Sequence, residues 1–289
     1  MTRRDIITAV PVAFAADGAL DLDGSREILR FVAGSGNEGA FVLGTTGEFP
    51  ALSFEERREL TRLAVEELSG RMRVIVHVGA PSLVEVLRLV EAVREAGGSE
   101  IAVITPYYLA VDDETLYAFY RAVAEASAGL DVYVYVFRDR TGNAVSAELM
   151  ARLAVLPNVV GAKISGEPLA QVAAYRAVVP EGFVLYTGSD RDLARAADAG
   201  AQGVVSGVSS VFPGPFRALR AAAEDGSADE LTTAQAAVDE VVDAVAGDMA
   251  RMKETYRLLG VAAGTVRMPI AEPDDAARTA LAAAVARHA

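Results

Sequence analysis

Between Val132 and Ile164 the chain reads VYVYVFRDRTGNAVSAELMARLAVLPNVVGAKI. Two short apolar runs, residues 132–137 and 159–164, flank a stretch of helical sequence. Short apolar runs of this kind are typical of buried strands, and a helix between two of them is typical of a parallel βαβ unit. This stretch therefore predicts a parallel sheet covered by helices.

The same alternation continues in both directions from this unit. Six further apolar runs complete a set of eight predicted strands: residues 6–14, 39–43, 74–78, 100–105, 183–187 and 203–206. Ser53 with Glu56, and Ser82 with Glu85, have the capping-box spacing that begins a helix. Eight βα units in succession without a long linker predict an α/β protein with the TIM (β/α)₈ barrel fold.

The sequence beyond the eighth strand is rich in alanine and charged residues. Ser227 and Glu230 repeat the capping-box spacing there, which predicts additional C-terminal helices. We therefore predict a barrel catalytic domain over residues 1–211. We assign residues 212–289 to the last barrel helix and a helical extension packed on the barrel.

Composition excludes several classes of function. The formal charge of −13 would repel a polyanion, so neither a nucleic acid nor an anionic membrane is an expected partner. No apolar run reaches the roughly 20 residues that span a bilayer. The absence of cysteine excludes thiol chemistry and suits a reducing, cytoplasmic compartment. The first 15 residues are similar to a signal peptide, but Asp5 and Pro11 interrupt the apolar stretch, which is also needed as the first strand.

Lys163 is the residue that indicates chemistry most directly. The chain has 27 lysines and arginines together, yet only Lys163 and Lys253 are lysines. Lys163 lies inside a predicted buried strand, where loss of water favours the neutral amine that attacks carbonyl groups. Arginine cannot perform this reaction. The alternative is a structural lysine paired with a buried carboxylate.

The ends of the other strands supply further candidates, because βα loops form the active site of such a barrel. Tyr135 shares a strand face with Tyr133 and ends the strand next to that of Lys163, so its phenol could move protons, although tyrosine pairs in strands often serve packing. Thr45 and Thr46, between two glycines, offer hydroxyl and backbone N–H groups for a carboxylate.

The remaining candidates receive structural interpretations. His77 lies in the third predicted strand and is interpreted as a core histidine, and His288 is next to last in the chain, so no ligand spacing for a metal exists. Lys253, in a charged helical run, is predicted to be a solvated helix residue.

Four segments together resemble the dihydrodipicolinate synthase / N-acetylneuraminate lyase family. They are residues 44–48 (GTTGE), 105–108 (TPYY), 135 with 140–142 (Y and RTG) and 161–163 (GAK). The resemblance lies in their order and spacing and covers essentially the whole barrel. Each segment alone is a weak signal, whereas the set is specific.

The resemblance implies a Schiff-base mechanism. Lys163 would form an imine with pyruvate, and proton loss would give an enamine that reacts with an aldehyde. Tyr135 would be the general acid and base, with Thr45 and Tyr108 as its proton relay. Such enzymes need no metal and no organic cofactor, because the imine itself activates the substrate.

The resemblance also implies binding roles and an assembly. Thr45 and Thr46 would hold the carboxylate of the keto acid, and Arg140 would bind an anionic group of the partner substrate. Three further residues are expected to line the substrate pocket: Val205, Gly188 and Ser189. The resemblance also implies a homo-oligomer, a dimer or a tetramer. In such an assembly Tyr108 would reach the active site of a neighbouring subunit.

The chain also departs from the family pattern, which bears on the second substrate. Residues 136–138 read VFR where the family usually has Asn-Val-Pro, residues 12–14 read VAF instead of Thr-Pro-Phe, and Ile164 replaces an acidic residue. These departures favour a 2-keto-3-deoxy sugar acid aldolase or dehydratase over a 4-hydroxy-tetrahydrodipicolinate synthase that uses aspartate semialdehyde. More distant alternatives are a non-catalytic keto-acid sensor and a barrel that binds flavin or phosphate near Ser206 and Ser209.

Overall fold

The computed structural model describes residues 3–289 and contains a closed barrel of eight parallel strands in chain order. The strands are β1 Asp5–Ala9, β2 Gly39–Val42, β3 Arg73–His77, β4 Glu100–Ile104, β5 Asp131–Val136, β6 Val159–Ile164, β7 Val184–Thr187 and β8 Gly203–Ser206. Strand β8 pairs with β1 and closes the ring. The predicted TIM barrel is therefore confirmed, with a strand at each of the eight predicted positions.

Helices surround the barrel and continue beyond its last strand. They are α1 Leu22–Ala33, α2 Phe54–Leu68, α3 Leu83–Glu95, α4 Asp113–Ala126, α5 Arg138–Thr141, α6 Ala147–Leu153, α7 Leu169–Arg176, α8 Leu193–Ala196, α9 Pro213–Asp225, α10 Ala228–Val245, α11 Met249–Leu258 and α12 Asp275–His288. The last four helices form the predicted C-terminal helices. Within residues 3–289, no helix is both long enough and apolar enough to cross a membrane.

Local signals explain most helix starts, with two differences from the prediction. Ser53 and Ser227 begin α2 and α10 through complete capping boxes, as predicted. The side chain of Ser82 makes no capping bond at α3, so that predicted box is wrong. Strand β1 ends at Ala9 instead of residue 14, because the chain leaves the barrel ladder and Phe14 pairs with Leu20 and Thr265.

Side chains fill the barrel interior in two zones, an apolar and aromatic zone and a polar network where the strands begin. An apolar and aromatic zone includes Phe41, Tyr135 and Val205. Tyr133 belongs to the same interior cluster as Tyr135, which confirms that the two phenol rings share a strand face and shows that this face is the barrel interior. Packed side chains thus make the barrel a core with chemistry at one end, not a pore.

A polar network closes the barrel where the strands begin. The Arg73 guanidinium donates to the hydroxyls of Tyr133 at 2.7 Å and Tyr186 at 2.9 Å, and it pairs with Glu100 at 2.5 Å. The Tyr186 hydroxyl in turn donates to Asp5 at 2.7 Å. Burial raises the pKa of Tyr133 to about 12, so its phenol stays protonated at neutral pH. The stabilising network lies at the N-terminal ends of the strands, opposite the end where barrel enzymes carry their active sites.

Candidate active site

Lys163 lies on β6, in register with Tyr135 on β5. Its side chain points into the aromatic zone, with Nζ 4.1 Å from the ring centroid of Phe41 and 4.3 Å from that of Tyr135. The residue is 6% exposed. Within residues 3–289, no carboxylate oxygen lies within 4 Å of Lys163 Nζ, so the geometry does not favour the alternative of a structural ion pair. Aromatic faces hold the ammonium without neutralising it by a carboxylate.

Tyr135, on β5, and Thr45, directly after β2, are in contact beside this lysine. The phenol oxygen of Tyr135 lies 3.2 Å from the Thr45 hydroxyl, and either group could be the donor. Thr45 begins a single 3-10 turn, Thr45–Gly47, directly after β2. Gly44 permits this turn because a Cβ there would lie 2.7 Å from the Phe41 ring. The turn also places Thr46 beside the same end of the barrel.

Glu48 continues this turn and makes contacts that the sequence did not indicate. It is fully buried and adopts a left-handed conformation with φ 53°. Its Oε1 accepts from Lys253 Nζ at 2.7 Å, and its Oε2 accepts from the backbone N–H groups of Arg267 and Met268 at 2.8 and 2.7 Å. The carboxylate therefore ties the turn that carries Thr45 to the C-terminal part of the chain.

The prediction that Lys253 is a solvated helix residue is wrong. Lys253 is 1% exposed and donates to both Glu48 and the carbonyl oxygen of Thr265. Burial lowers the pKa of Lys253, and the charge of Glu48 opposes that change. Its ammonium also lies 4.6 Å from the ring centroid of Phe14. The two lysines of the chain are thus both interior, but within residues 3–289 only Lys253 has a carboxylate partner.

The loop after β4 carries Tyr107 and Tyr108 and is held by Asn143, which the sequence analysis did not select. The Asn143 amide nitrogen donates to the carbonyl oxygens of Pro106 at 2.8 Å and Leu109 at 2.9 Å, and its oxygen accepts from the Val111 N–H at 3.0 Å. Tyr108 is 92% exposed and has a left-handed φ of 82°. A non-glycine residue held there by its neighbours presents a phenol away from its own barrel.

A cavity of about 570 Å³ lies at the mouth of the barrel. Thr45 and Arg140 are among the barrel residues that line it, and the C-terminal part of the chain contributes residues 246–249, from the end of α10 to the start of α11, and residues 268–270, between α11 and α12. Arg140 is exposed, and its guanidinium lies 5.7 Å from the ring centroid of Phe137. Among residues 3–289, no carboxylate oxygen lies within 4 Å of it. The mouth therefore contains a cation without an ionic partner.

The remaining predicted pocket residues lie on β8 or directly after β7. Val205 is buried in the interior zone with Tyr135. Gly188 allows close approach, because a Cβ there would lie 2.2 Å from the Ser165 hydroxyl oxygen. Ser189 is half-buried, and its N–H donates to the Thr187 hydroxyl at 3.2 Å. These positions surround the side of the barrel that carries Lys163.

Asp190 is a further candidate site residue to which the sequence analysis gave no role, although it is the first charged residue after β7. Its Oδ1 is buried and has no hydrogen-bond partner within residues 3–289. Burial raises the pKa of Asp190, while the Ser206 hydroxyl, the Val208 N–H and the charge of Lys163 oppose the rise. Asp190 is thus a hydrogen-bond acceptor close to Lys163.

Two other sequence interpretations concern His77 and the serines near β8. His77 is fully buried, with Nδ1 2.9 Å from the carbonyl oxygen of Leu43, and burial lowers its pKa, which confirms a core histidine. Ser206 and Ser209 are fully buried and bonded to each other, so their hydroxyls are not presented to a phosphate. In the described part of the chain, no three His, Cys, Asp or Glu side chains gather as metal ligands.

Comparison with known proteins fits this geometry. The Dihydrodipicolinate synthetase family matches the chain over residues 2–288. The chain belongs to this family. An uncharacterised DapA-like lyase of Halobacterium salinarum is 35% identical over 97% of this chain and 92% of its own length. A 4-hydroxy-tetrahydrodipicolinate synthase of Synechococcus elongatus is 31% identical over 96% and 93%.

Solved structures show the same relationship. YagE of Escherichia coli K12, a family member solved in complex with pyruvate, superposes with a TM-score of 0.89 at 27% identity and covers 98% of both chains. Members of the family are class I aldolase-type lyases. This chain is therefore a lyase of the dihydrodipicolinate synthetase family, as the resemblance of its motifs implied.

Proposed function

We propose that this enzyme joins pyruvate to an aldehyde, or cleaves the corresponding product, through an imine on Lys163. The observation that supports the proposal is the position of this amine between Phe41 and Tyr135, without a carboxylate partner in the described part of the chain. A desolvated, uncompensated amine is suited to attack a carbonyl carbon. The pyruvate bound by the related YagE agrees with this substrate.

The proposed reaction proceeds in four steps, and the residues of the site supply the nucleophile and the proton-transfer groups. The neutral amine of Lys163 adds to the keto carbon, and the resulting carbinolamine loses water to give the imine. Loss of a methyl proton gives an enamine, whose carbon attacks the aldehyde carbon, and water finally hydrolyses the new imine to free the lysine. Tyr135 accepts and returns the protons, with the Thr45 hydroxyl at 3.2 Å as the next group of the relay.

The other site residues receive binding roles in this proposal. Thr45, Thr46 and the adjacent backbone would bind the carboxylate of pyruvate. Val205 and Gly188 would shape the pocket around the imine. Arg140 would bind an anionic group of the aldehyde, since a planar guanidinium can form two hydrogen bonds with a carboxylate. The imine supplies the activation, so the proposal requires neither a metal nor an organic cofactor.

The proposal extends to the assembly, a dimer or tetramer in a cytoplasmic compartment. Tyr108 and Leu109 are 92% and 68% exposed on the loop after β4. Apolar and aromatic side chains exposed together suit a contact with a second subunit. Tyr108 would enter the neighbouring site there and complete the proton relay of Tyr135.

Reductive trapping tests the proposed chemistry. Borohydride with pyruvate should add the reduced keto-acid mass to the peptide that contains Lys163, and Lys163→Arg should abolish the addition because guanidinium stays protonated. The second lysine, Lys253, is an internal control because it is buried and ion-paired. Label on Lys253, or no label on the native enzyme, would contradict the mechanism.

A further inference from the structure

The cavity at the barrel mouth is lined mainly by apolar groups. Phe49, Pro50, Ile104 and Tyr107 come from the barrel loops and β4, while the C-terminal part adds Ala246, Gly247, Met249, Met268, Pro269 and Ile270. This cavity is lined by Thr45, whose hydroxyl contacts Tyr135, so it adjoins the place where an aldehyde would meet the enamine in the proposed function. Its lining therefore bears on the chemical class of the second substrate.

The C-terminal wall of this cavity is anchored. Glu48 accepts from the N–H groups of Arg267 and Met268. The Arg267 guanidinium donates to Glu56 at 2.8 Å, to the Ala51 carbonyl at 2.9 Å and, through Nε, to the Gly18 carbonyl at 2.8 Å. Met268 thus projects from backbone that is held at several points, and the apolar wall exists before a ligand arrives.

Most polar groups of the lining already have partners. The Thr45 hydroxyl bonds Tyr135, and the Thr141 hydroxyl accepts from Thr105 at 2.9 Å. The Asp248 carboxylate caps α11 by accepting from the N–H groups of Ala250 and Arg251 at 2.8 and 3.0 Å. Among the lining residues, the charged group without such a partner in the described chain is Arg140.

Three serines at or near the strand ends, Ser165, Ser189 and Ser206, have hydroxyls that could bond a sugar but do not line this cavity. Ser206 is fully buried and accepts from the Ser209 N–H at 2.9 Å, and Ser165 is 7% exposed. Ser189 also lies outside the lining. Apart from the Tyr107 hydroxyl and Arg140, the polar side chains of the lining are already hydrogen-bonded, so several substrate hydroxyls in the cavity would lose water without each gaining an equivalent partner, which weakens binding.

From this lining we infer that the second substrate, on the basis of the proposed function, is an aldehyde that carries a carboxylate and a compact apolar group such as an aromatic ring. The carboxylate pairs with Arg140, and the apolar group packs against Met268, Ile270 and Phe49. This class differs from the polyhydroxylated sugar acids that the departures near Tyr135 and Lys163 favoured. The two substrate classes differ in how this cavity would recognise them: an apolar group through hydrophobic contacts, and a sugar acid through hydrogen bonds to its hydroxyls.

Calorimetric titration with benzoate and glycerate tests the inference without any need for imine formation. Both probes carry one carboxylate for Arg140, but one is aromatic and the other hydroxylated. Benzoate should bind at least about tenfold more tightly, as expected when a ligand fills an apolar pocket. Met268→Ser should reduce the benzoate preference severalfold, whereas Val155→Ser, at a remote position that is 71% exposed, should leave it unchanged.

Equal or tighter binding of glycerate, or a preference that Met268→Ser does not alter, would overturn the inference. A failure of pyruvate trapping with a retained benzoate preference would instead remove the proposed function and leave the apolar cavity established. In protein that forms the imine, benzaldehyde should be condensed with pyruvate at a higher kcat/KM than glyceraldehyde. The opposite order would also overturn the inference.

Discussion

The hydroxyl groups of Tyr135 and Thr45 lie 3.2 Å apart, although 90 positions separate the two residues in the chain. Tyr135 comes from β5, beside the strand of Lys163, and Thr45 comes from the turn after β2. Their contact crosses the barrel interior and joins the proposed proton-transfer group to the segment proposed to bind the keto acid. In the proposed mechanism, proton transfer and binding of the keto acid therefore depend on the same hydrogen bond.

Replacing Tyr135 tests this connection. Tyr135→Phe removes the phenol but not the amine, so pyruvate trapping should persist while kcat falls about 10² to 10⁴-fold, the usual contribution of a general acid and base. Tyr133→Phe is the matched control, because that phenol lies on the same strand face but bonds Arg73 at the closed end. If Tyr135→Phe stays within a few-fold of the native rate, Tyr135 serves packing alone.

Tyr108 should act across a subunit boundary. We expect Tyr108→Phe to lower kcat less than Tyr135→Phe, because Tyr108 would be the outer member of the relay. Mixing Tyr108→Phe protein with inactive Lys163→Ala protein should restore part of the activity through sites that combine one intact residue from each subunit. Absence of any restoration, with subunit exchange demonstrated by mass spectrometry, would place the relay within one chain.

Arg140 should affect the aldehyde and not pyruvate. Loss of a charge-assisted contact to a carboxylate corresponds to roughly a 10- to 100-fold decrease in kcat/KM for a carboxylated aldehyde. Arg140→Ala should show this decrease and keep native levels of pyruvate trapping. Arg138→Ala offers a control, since Arg138 is exposed on the same short helix but does not line the cavity. A parallel loss of trapping would argue for a role at the keto acid.

The buried pair of Lys253 and Glu48 should support stability strongly. Lys253→Met leaves the Glu48 carboxylate buried without its counter-ion, which costs about 3–5 kcal/mol in comparable cases. Urea denaturation should also show that the double variant Lys253→Met with Glu48→Gln recovers part of the loss. Arg62→Met, which breaks the exposed pair with Glu66, should cost less than about 1 kcal/mol. Equal effects at both sites would contradict the burial argument.

Acid should weaken the anchor of the cavity wall through Glu56. The hydrogen bond from Arg267 holds the pKa of Glu56 below its usual 4.5, so the carboxylate stabilises the folded state above that pH and the contribution disappears as the pH falls through the lowered value. The free energy of unfolding should therefore decrease less between pH 7 and 3 in Glu56→Gln than in the native protein. Glu55→Gln, at an exposed neighbouring position, should retain the native pH dependence.

The fold was largely predictable because it depends on short-range patterns. Each strand is an apolar run that can be recognised from its own residues, and the unbroken βα order admits few topologies. The first strand was predicted too long because residues 10–14 are as apolar as those of β1. The partners of Phe14, which are Leu20 and Thr265, belong to other parts of the chain.

Candidate site residues could be selected from the sequence only where the residue type and its neighbours along the chain indicate a chemical role. Lys163 and Tyr135 stand on adjacent strands in an arginine-rich chain, so their selection needed no tertiary contact. Lys253 could not be assigned correctly, because its partner Glu48 lies 205 positions away and a helix pattern does not reveal it. The apolar cavity wall likewise arises from residues 246–270 folding back over the turn after β2, which strand and helix periodicity do not predict.

The network of Arg73, Tyr133 and Tyr186 has a consequence for the order in which substrates bind. Because this network closes the end where the strands begin, pyruvate, aldehyde and product would share the entrance at the opposite end in the proposed function. An aldehyde that arrives first would occupy the passage and keep pyruvate from the lysine. High aldehyde concentrations should therefore inhibit the reaction competitively with pyruvate. Closure of the barrel at the strand beginnings would then be detectable as substrate inhibition at the open end.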